Sequence, residues 1–567
     1  MTDNKAKTNK KSNSPQKGEP SAEEAKAATT AEHTGETVAR PRLLAAAAGI
    51  LAAGAALASG ELLASFATPN PGPVVGVASR VIDFAPNWFV DFGKAVFGLA
   101  DKPALVVGTI IISLVIGAAL GIAGRSKPAV VIAGFVAFGL LGAVSIGTDA
   151  QGSWGIGIVA ALVAVITGIA TLFFLLSTID GRAGAQLGLR PKTEAATTAI
   201  ASPTNPPVTR RRFMNWAGGI GVGAAAAAVG AREVRARSSA NQARDEVVFT
   251  AADGASVEQV VTEAATGPVG ATPGITPLVV PNSDFYRIDT ALTTPQIDPA
   301  NWSMTIRGMV DNELTFTYDE LLERAETIAP VTLSCVSNPI GGNLVGNAVW
   351  RGIPLSELLD EAGVQAEATQ IASRSVDGWT CGFPTEAAFD GRTALLAVGM
   401  NDEPLPLEHG FPARLVVSGL YGYVSATKWL KEIELTRFET FDGYWIPRGW
   451  SKLGPIKTQS RIDTPQNGQR VAVGETVPIA GVAWAPNTGI TRVEVQVDDG
   501  EWMEAELGES LGEDAWVQWV VPWTATAGVH IFTVRATDET GETQTSQVTR
   551  PDPNGASGHH RIGVEVI

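Results

Sequence analysis

The chain has 567 residues, a formal net charge of −16 and 45% hydrophobic content, with two cysteines in all. Acidity of that size disfavours nucleic acid as a partner, and the length allows about three or four domains. The apolar content is concentrated before residue 232, and the chain from Gln242 onward is polar and acidic.

Residues 1–40 are rich in Lys, Ser, Thr, Glu and Ala without apolar periodicity, and read as a disordered cytoplasmic tail. Within 41–182 come four apolar runs, Leu43–Phe66, Ala104–Gly124, Pro128–Ile146 and Ile156–Ile179. Each is near the roughly 20 residues that cross a bilayer, so a four-helix transmembrane unit is predicted. Arg40 and Arg42 precede the first run, Arg125 and Lys127 lie between the second and third, and Arg182, Arg190 and Lys192 follow the fourth. The turn Thr148–Ser153 carries no positive charge, which places both ends of the unit in the cytoplasm. Arg80, Lys94 and Lys102 dilute this pattern without reversing it. Between the first two runs, Trp88, Phe89, Phe92 and Val96 recur at helical spacing in Asn87–Leu99 and predict an interfacial helix. Glu61 is the one acid near a membrane core; it reads as snorkelling to the interface or as a functional carboxylate. The five histidines (His33, His409, His530, His559 and His560) all lie outside the runs, which excludes a bis-histidine haem inside this unit.

A Pro/Thr-rich linker, 183–208, leads to TRRRFMNW and a mild Gly/Ala run, Ala217–Ala231. Arg210 and Arg211, then Phe213 and Met214, resemble a twin-arginine export signal, which also serves as a fifth membrane segment over 209–240. Four crossings return the chain inside and a fifth delivers the remainder outside the cytoplasmic membrane. That route carries folded domains, as a cofactor loaded in the cytoplasm requires.

After a further linker, 241–274, residues 275–458 mix strands (Trp302–Arg307, Ala413–Val417, Ile433–Phe438) with short helices (Tyr318–Ala325, Leu355–Ala362), an α+β pattern. Residues 459–567 are all-β. Ile479–Trp484, Val493–Val497, Val517–Trp523 and Ile531–Ala536 alternate in polarity around turns at Asp499-Gly500 and Thr540-Gly541, which predicts an immunoglobulin-like sandwich. Cys335 sits where a strand-like run breaks into the Asn/Pro/Gly loop of VTLSCVSNPIGGNLVGNAVW, a setting for a soft-metal ligand or a nucleophile. Cys381 lies in its own DGWTCGFP turn, and no disulfide between the two is expected. His409, Arg414 and Lys428 put three cation-capable donors within twenty residues, a cradle for a phosphate.

The order Cys335 loop, HGFPARLVV, YGYVSATKWLKEIEL and then a sandwich resembles the sulfite oxidase family of molybdopterin enzymes, over roughly residues 275–567. The resemblance implies one pterin-bound molybdenum with Cys335 as its protein ligand, and two-electron oxygen-atom transfer on a small molecule. It implies that His409, Arg414 and Lys428, helped by Ser425 or Thr427, hold the cofactor's terminal phosphate. It also implies that Asn282, Phe285 and Tyr286 lie along the pterin, and that the stretch around Asn347 brings backbone near the metal. In that family the sandwich is a dimerisation module, so a homodimer through 459–567 is implied. No haem or iron–sulfur pattern is present in the sequence, so electrons are expected to pass to or from a separate partner.

The chain departs from the family where sulfite oxidases hold their dianionic substrate. Ile340, Asp289 and Asn487 or Thr488 stand where that family carries arginines, and Gly449 or Trp450 where it carries a tyrosine. Arg287 lies near the second of these positions, and Tyr444 and Arg448 are candidate catalytic substitutes near the last. Each charge-assisted pair contributes about 1.5–3 kcal/mol, so losing three disfavours sulfite. A pocket of Asn338, Asp377, Trp379, Thr380, Tyr444, Trp445 and Trp450 suits an S- or N-oxide instead. The rival readings are a sulfite dehydrogenase using Arg287 and Arg448, a cofactor-less exported binding scaffold, and a transporter with an external sensor.

Overall fold

The computed structural model describes residues 22–67, 71–180, 210–236, 239–249 and 267–567. The linker 183–208, residues 1–21 of the tail and residues 250–266 of the 241–274 linker lie outside them. The chain divides into two units, each with its own contacts.

The first unit takes residues up to 60, 105–141 and 161–228. It holds the greater part of helices α1 (Ala22–Ser65), α4 (Asp101–Gly124), α5 (Pro128–Gly147), α6 (Trp154–Asp180) and α7 (Arg210–Ala236), whose ends, with Lys102 and Ala150, fall in the second unit; α2 (Pro73–Phe84) and α3 (Asn87–Phe97) lie wholly in the second. Among the described residues five helices are long and apolar enough to cross a membrane, which suggests a membrane anchor. Helix α1 corrects one expectation: it begins at Ala22, so 22–40 is helical rather than disordered. Its Ala, Glu and Lys content supplies the helix propensity, which the lack of apolar periodicity concealed. Small residues let α1 and α4 approach closely. A Cβ added at Gly49 would lie 1.9 Å from the Gly117 carbonyl oxygen, and one at Gly121 would lie 2.1 Å from that of Ala45. Ala45, Ala48, Ala52, Phe135, Leu172 and Leu175 form the unit's core.

The second unit takes 61–104, 142–160 and 229–567. Helices α2 (Pro73–Phe84) and α3 (Asn87–Phe97) lie in its first segment, and α3 leaves Trp88, Phe89, Phe92 and Val96 exposed. Glu61 Oε1 accepts the Val74 amide at 2.8 Å, so this carboxylate satisfies a donor at the start of α2.

Two sheets build the α+β part. The first runs, in spatial order, Leu314–Thr317, Ser303–Gly308, Leu430–Thr436, Gln370–Ser375 and Thr380–Pro384. The second joins Thr327–Ser334, Val345–Pro354, Ala394–Met400 and Glu403–Pro404, with Arg414–Val417 also on the third of these. Thr327–Ser334 and Val345–Pro354 pair antiparallel with Ser334 opposite Val345, so the strand ends where Cys335 begins its loop. Helix Tyr318–Arg324 opens on a capping box of Thr317 and Glu320, and Leu355–Ala362 closes on left-handed Gly363. The C-terminal part is a sandwich of a four-stranded and a five-stranded sheet around Ile479, Val493, Trp519, Phe532 and Val534.

Candidate functional site

A cleft with about 980 Å³ of empty space, open solvent included, lies in the α+β part, with Cys335, His409, Arg414 and Lys428 in its wall. Cys335 is fixed by its main chain: its amide donates to the Leu344 carbonyl at 2.9 Å, and its carbonyl accepts from the Asn338 amide at 3.0 Å. Burial pushes the thiol above its ordinary pKa, against hydrogen bonds from Ser337. Cys381 is a free thiol like Cys335, as expected. It is buried against the Ser373 and Thr427 hydroxyls, at 3.2 and 3.1 Å, and burial raises it to about 11.

Arg414 opens its strand and is buried, 5% exposed. Its guanidinium donates to the carbonyls of His409 at 3.0 Å and Leu415 at 3.3 Å, and its carbon lies 4.9 Å from the centre of the Trp350 ring. Burial lowers its pKa to about 10. A cation buried on carbonyls and an aromatic face, with no carboxylate paired to it among the described residues, favours an incoming anion. His409 Nε2 donates to the Asn282 carbonyl at 3.1 Å. Burial, then Arg414 and Lys428, lower its pKa to about 4, so its ring is neutral at pH 7.

Lys428 is lowered to about 8 by burial, partly offset by Asp289. It donates to Asp289 Oδ2 at 3.1 Å and to the Glu408 carbonyl at 3.0 Å. Asp289 Oδ2 also takes Arg287 at 2.9 Å, and Oδ1 takes Lys102 at 2.9 Å. Burial pushes this carboxylate up, but the three cations outweigh it and hold it well below the usual range. On the aromatic side of the wall, Phe285 stacks on Tyr286 at 5.1 Å and meets His409 edge-on at 5.5 Å. Burial, then the nearby Cys335, raise the Tyr286 phenol well above its ordinary value.

The cleft thus brings together Phe285, Tyr286, Cys335, His409, Arg414 and Lys428, with Asp377, Trp379, Trp445 and Trp450 also in its wall. The side chains of the other expected residues are bonded to protein groups or lie outside the cleft lining. Asn282 spends its side chain on the Met400 carbonyl, Glu403 and Asn401. Asn347 is wholly buried between Thr332 and the Leu278 carbonyl. Ser425 bonds the carbonyls of Leu420 and Tyr421, and Thr427 bonds Ser373. Asn338 closes its own loop through the Leu344 amide. Tyr444 and Arg448 do not line the cleft: the guanidinium carbon lies 3.7 Å from the Tyr444 ring centre, at an exposed position. In each case the polar group has a nearer partner than the cavity. Two of the residues sequence reasoning missed are Lys102 and Tyr423; Tyr423 lies in YGYVSATKWL, but an aromatic there carries no signal separating a cleft wall from the core.

Residues 291–445 match the oxidoreductase molybdopterin-binding domain, and 459–548 match a bacterial Ig domain. The chain is 32% identical over 180 residues to the uncharacterized oxidoreductase YuiH of Bacillus subtilis, covering 31% of this chain and 87% of that protein. It is 29% identical over 303 residues to mitochondrial sulfite oxidase of Drosophila melanogaster, covering 46% of this chain and 52% of that one. The chain therefore spans about half the length of that sulfite oxidase. The solved sulfane dehydrogenase SoxCD of Paracoccus pantotrophus aligns with 56% of this chain and 94% of its own, at 23% identity and a TM-score of 0.46.

Proposed function

Since the chain belongs to the sulfite oxidase family of molybdopterin-dependent oxidoreductases, we propose that it holds one molybdopterin in this cleft and transfers an oxygen atom to or from a small neutral substrate. The observation that carries this reading is Arg414, a buried guanidinium turned to carbonyls and Trp350 in the same cleft as the Cys335 thiol. An anionic pterin bearing a soft metal fits both residue types.

When bound, molybdopterin supplies two-electron oxo-transfer chemistry. The residues around it have separable tasks. Cys335 Sγ holds its proton at neutral pH because burial disfavours the thiolate, and it is the residue that would hold a soft metal. Arg414 and Lys428 bind negative charge, the first as a planar fork and the second as a point charge. Neutral His409 keeps its proton on Nε2, toward the Asn282 carbonyl, and so leaves Nδ1 as an acceptor.

A neutral substrate is favoured by the remainder of the cleft wall. Asp377 and three tryptophans line it, and burial raises the Asp377 carboxyl. The sulfite dehydrogenase reading is disfavoured: Arg287 is bound to Asp289 and Thr294, and Arg448 stacks outside the cleft. The positively charged flanks of the apolar helices support a catalytic part outside the cytoplasmic membrane. The electron pair that oxo transfer releases or consumes would pass through a separate redox partner, and the sandwich part 459–567 is the candidate homodimer interface. The testing experiment is the molybdenum and pterin content of the purified chain beside Cys335→Ser and Arg414→Ala. Stoichiometric metal that falls in both variants supports the proposal; wild type without metal, from a molybdenum-replete host, overturns it.

A further inference from the structure

The chain segments that link the apolar helices reach the wall of the cleft at two points. Lys102, in the first turn of α4, puts Nζ 2.9 Å from Asp289 Oδ1 and 2.9 Å from the Ala291 carbonyl oxygen. In the turn between α5 and α6, Ala150 lies beside Gly378: a Cβ built on that glycine would sit 2.9 Å from the Ala150 Cβ. Gly378 joins Asp377 to Trp379, both in the cleft wall.

The Lys102 contact bears on charge. The Asp289 side chain is 4% exposed and faces Lys102, Lys428 and Arg287 together. One carboxylate among three cations leaves the cluster two positive charges in excess, beside the buried Arg414. Without Lys102 the excess drops by one, and Asp289 is left to Lys428 and Arg287. The Lys428 ammonium would then be held more firmly by the carboxylate and would be less free for an anion.

We propose that Lys102 is a positioning residue for the molybdopterin site: by sharing Asp289 it keeps Lys428 available to an anionic group of the cofactor, so a residue on an apolar helix sets how firmly the catalytic part retains it. This inference rests on the molybdopterin reading above and adds to it a part of the chain outside the oxidoreductase domain match, 291–445.

The experiment follows pterin loss from the full detergent-solubilised chain after dilution into moderate salt. Lys102→Met should lose pterin about tenfold faster than wild type, the size of one charge-assisted contact. Lys102→Arg should restore retention, because it keeps the charge. In an Asp289→Asn background, Lys102→Met should have no further effect, since its action passes through that carboxylate. Thermal unfolding of each apoprotein separates lost retention from lost folding; should Lys102→Met not fold, the Asp289→Asn and Lys102→Arg arms carry the same comparison, with retention at or above wild type in both expected. Wild-type retention in Lys102→Met, or an undiminished Lys102→Met effect beside Asp289→Asn, overturns the inference and leaves the molybdopterin reading standing. A wild-type chain that holds no pterin overturns both.

Discussion

The Arg414 guanidinium lies 4.9 Å from the centre of the Trp350 ring, both residues are buried, and the carbonyls of His409 and Leu415 accept its hydrogen bonds. Trp350 is itself fixed by its indole N–H donating to the Val331 carbonyl at 3.1 Å, on the strand that leads to Cys335. The ring therefore links the cation and the thiol of one cleft. A cation held this way is costly to the empty protein and favourable only when an anion arrives. Arg414→Met should leave the apoprotein's stability within about 1–2 kcal/mol of wild type, because the desolvation cost leaves with the charge. Pterin content should nevertheless fall at least about tenfold, as for the loss of one bidentate charge-assisted contact. Thermal melts of apoprotein alongside pterin analysis check both halves; a variant as well loaded as wild type would remove Arg414 from the site.

Cys335 gives a prediction on reactivity. Burial raises its thiol above the ordinary value, so the apoprotein's thiolate fraction at neutral pH is small. Alkylation by iodoacetamide should be slow at pH 7 and speed up as pH rises past the usual thiol range. Metal loading should abolish it. Cys381, raised to about 11 inside its hydroxyl contacts, should remain unmodified throughout. Mass spectrometry of the two cysteine peptides against pH distinguishes them, and fast neutral labelling at Cys335 would contradict the burial.

His409 makes the empty cleft acid-sensitive. Its folded pKa is lowered to about 4, mainly by burial, from an ordinary 6.5. The unfolded chain therefore binds the proton first, so the stability this neutral ring contributes is present above pH 6.5 and is lost as pH falls toward 4. The shift corresponds to about 3–4 kcal/mol across that window. His409→Gln should remove this part of the pH dependence. Bound pterin should flatten it, since an adjacent anion raises the imidazole. Denaturant midpoints between pH 7 and 4, with and without cofactor, measure the slope; equal slopes in wild type and His409→Gln would refute it.

The legible parts of this molecule are those where one residue type has few alternative uses. The apolar runs became helices within a few residues of their predicted limits, because a run of that length has no polar face to bury elsewhere. Leu355–Ala362 formed as predicted, with its apolar face in the core and glycine at its end. Cys335, His409, Arg414 and Lys428 converge on one cleft because a thiol and three cation-capable groups at strand ends and turns are seldom used for packing alone. Asn282, Asn347, Ser425 and Thr427 are harder to read, because short polar side chains near a motif are readily satisfied by main-chain or neighbouring groups, as they are here. Residues 22–40 were misread because propensity there runs without periodicity. The Lys102–Asp289 contact joins positions 187 apart, and nothing local in either segment points to the other.

Gly378 supplies a test of the second contact at the cleft wall. Its φ of +87° lies in the left-handed region, where a Cβ costs about 1–2 kcal/mol on backbone grounds alone. A Cβ there would also sit 2.9 Å from the Ala150 Cβ, closer than carbon atoms normally approach. The two costs are separable because only the second depends on Ala150. Gly378→Ala should lower stability by about 2–3 kcal/mol, and adding Ala150→Gly should recover the contact share, about 1 kcal/mol, while the backbone share remains. The turn that Gly378 anchors also carries Asp377 and Trp379 into the cleft, with the Trp379 amide donating to Asp377 Oδ1 at 3.0 Å. Gly378→Ala should therefore raise KM for an oxide substrate more than it lowers kcat, since what moves is the binding wall and not Cys335. A denaturant series on the single and double variants, with steady-state kinetics on the loaded protein, gives both readouts. Should Ala150→Gly leave the Gly378→Ala penalty unchanged, the α5–α6 turn does not press on the cleft wall.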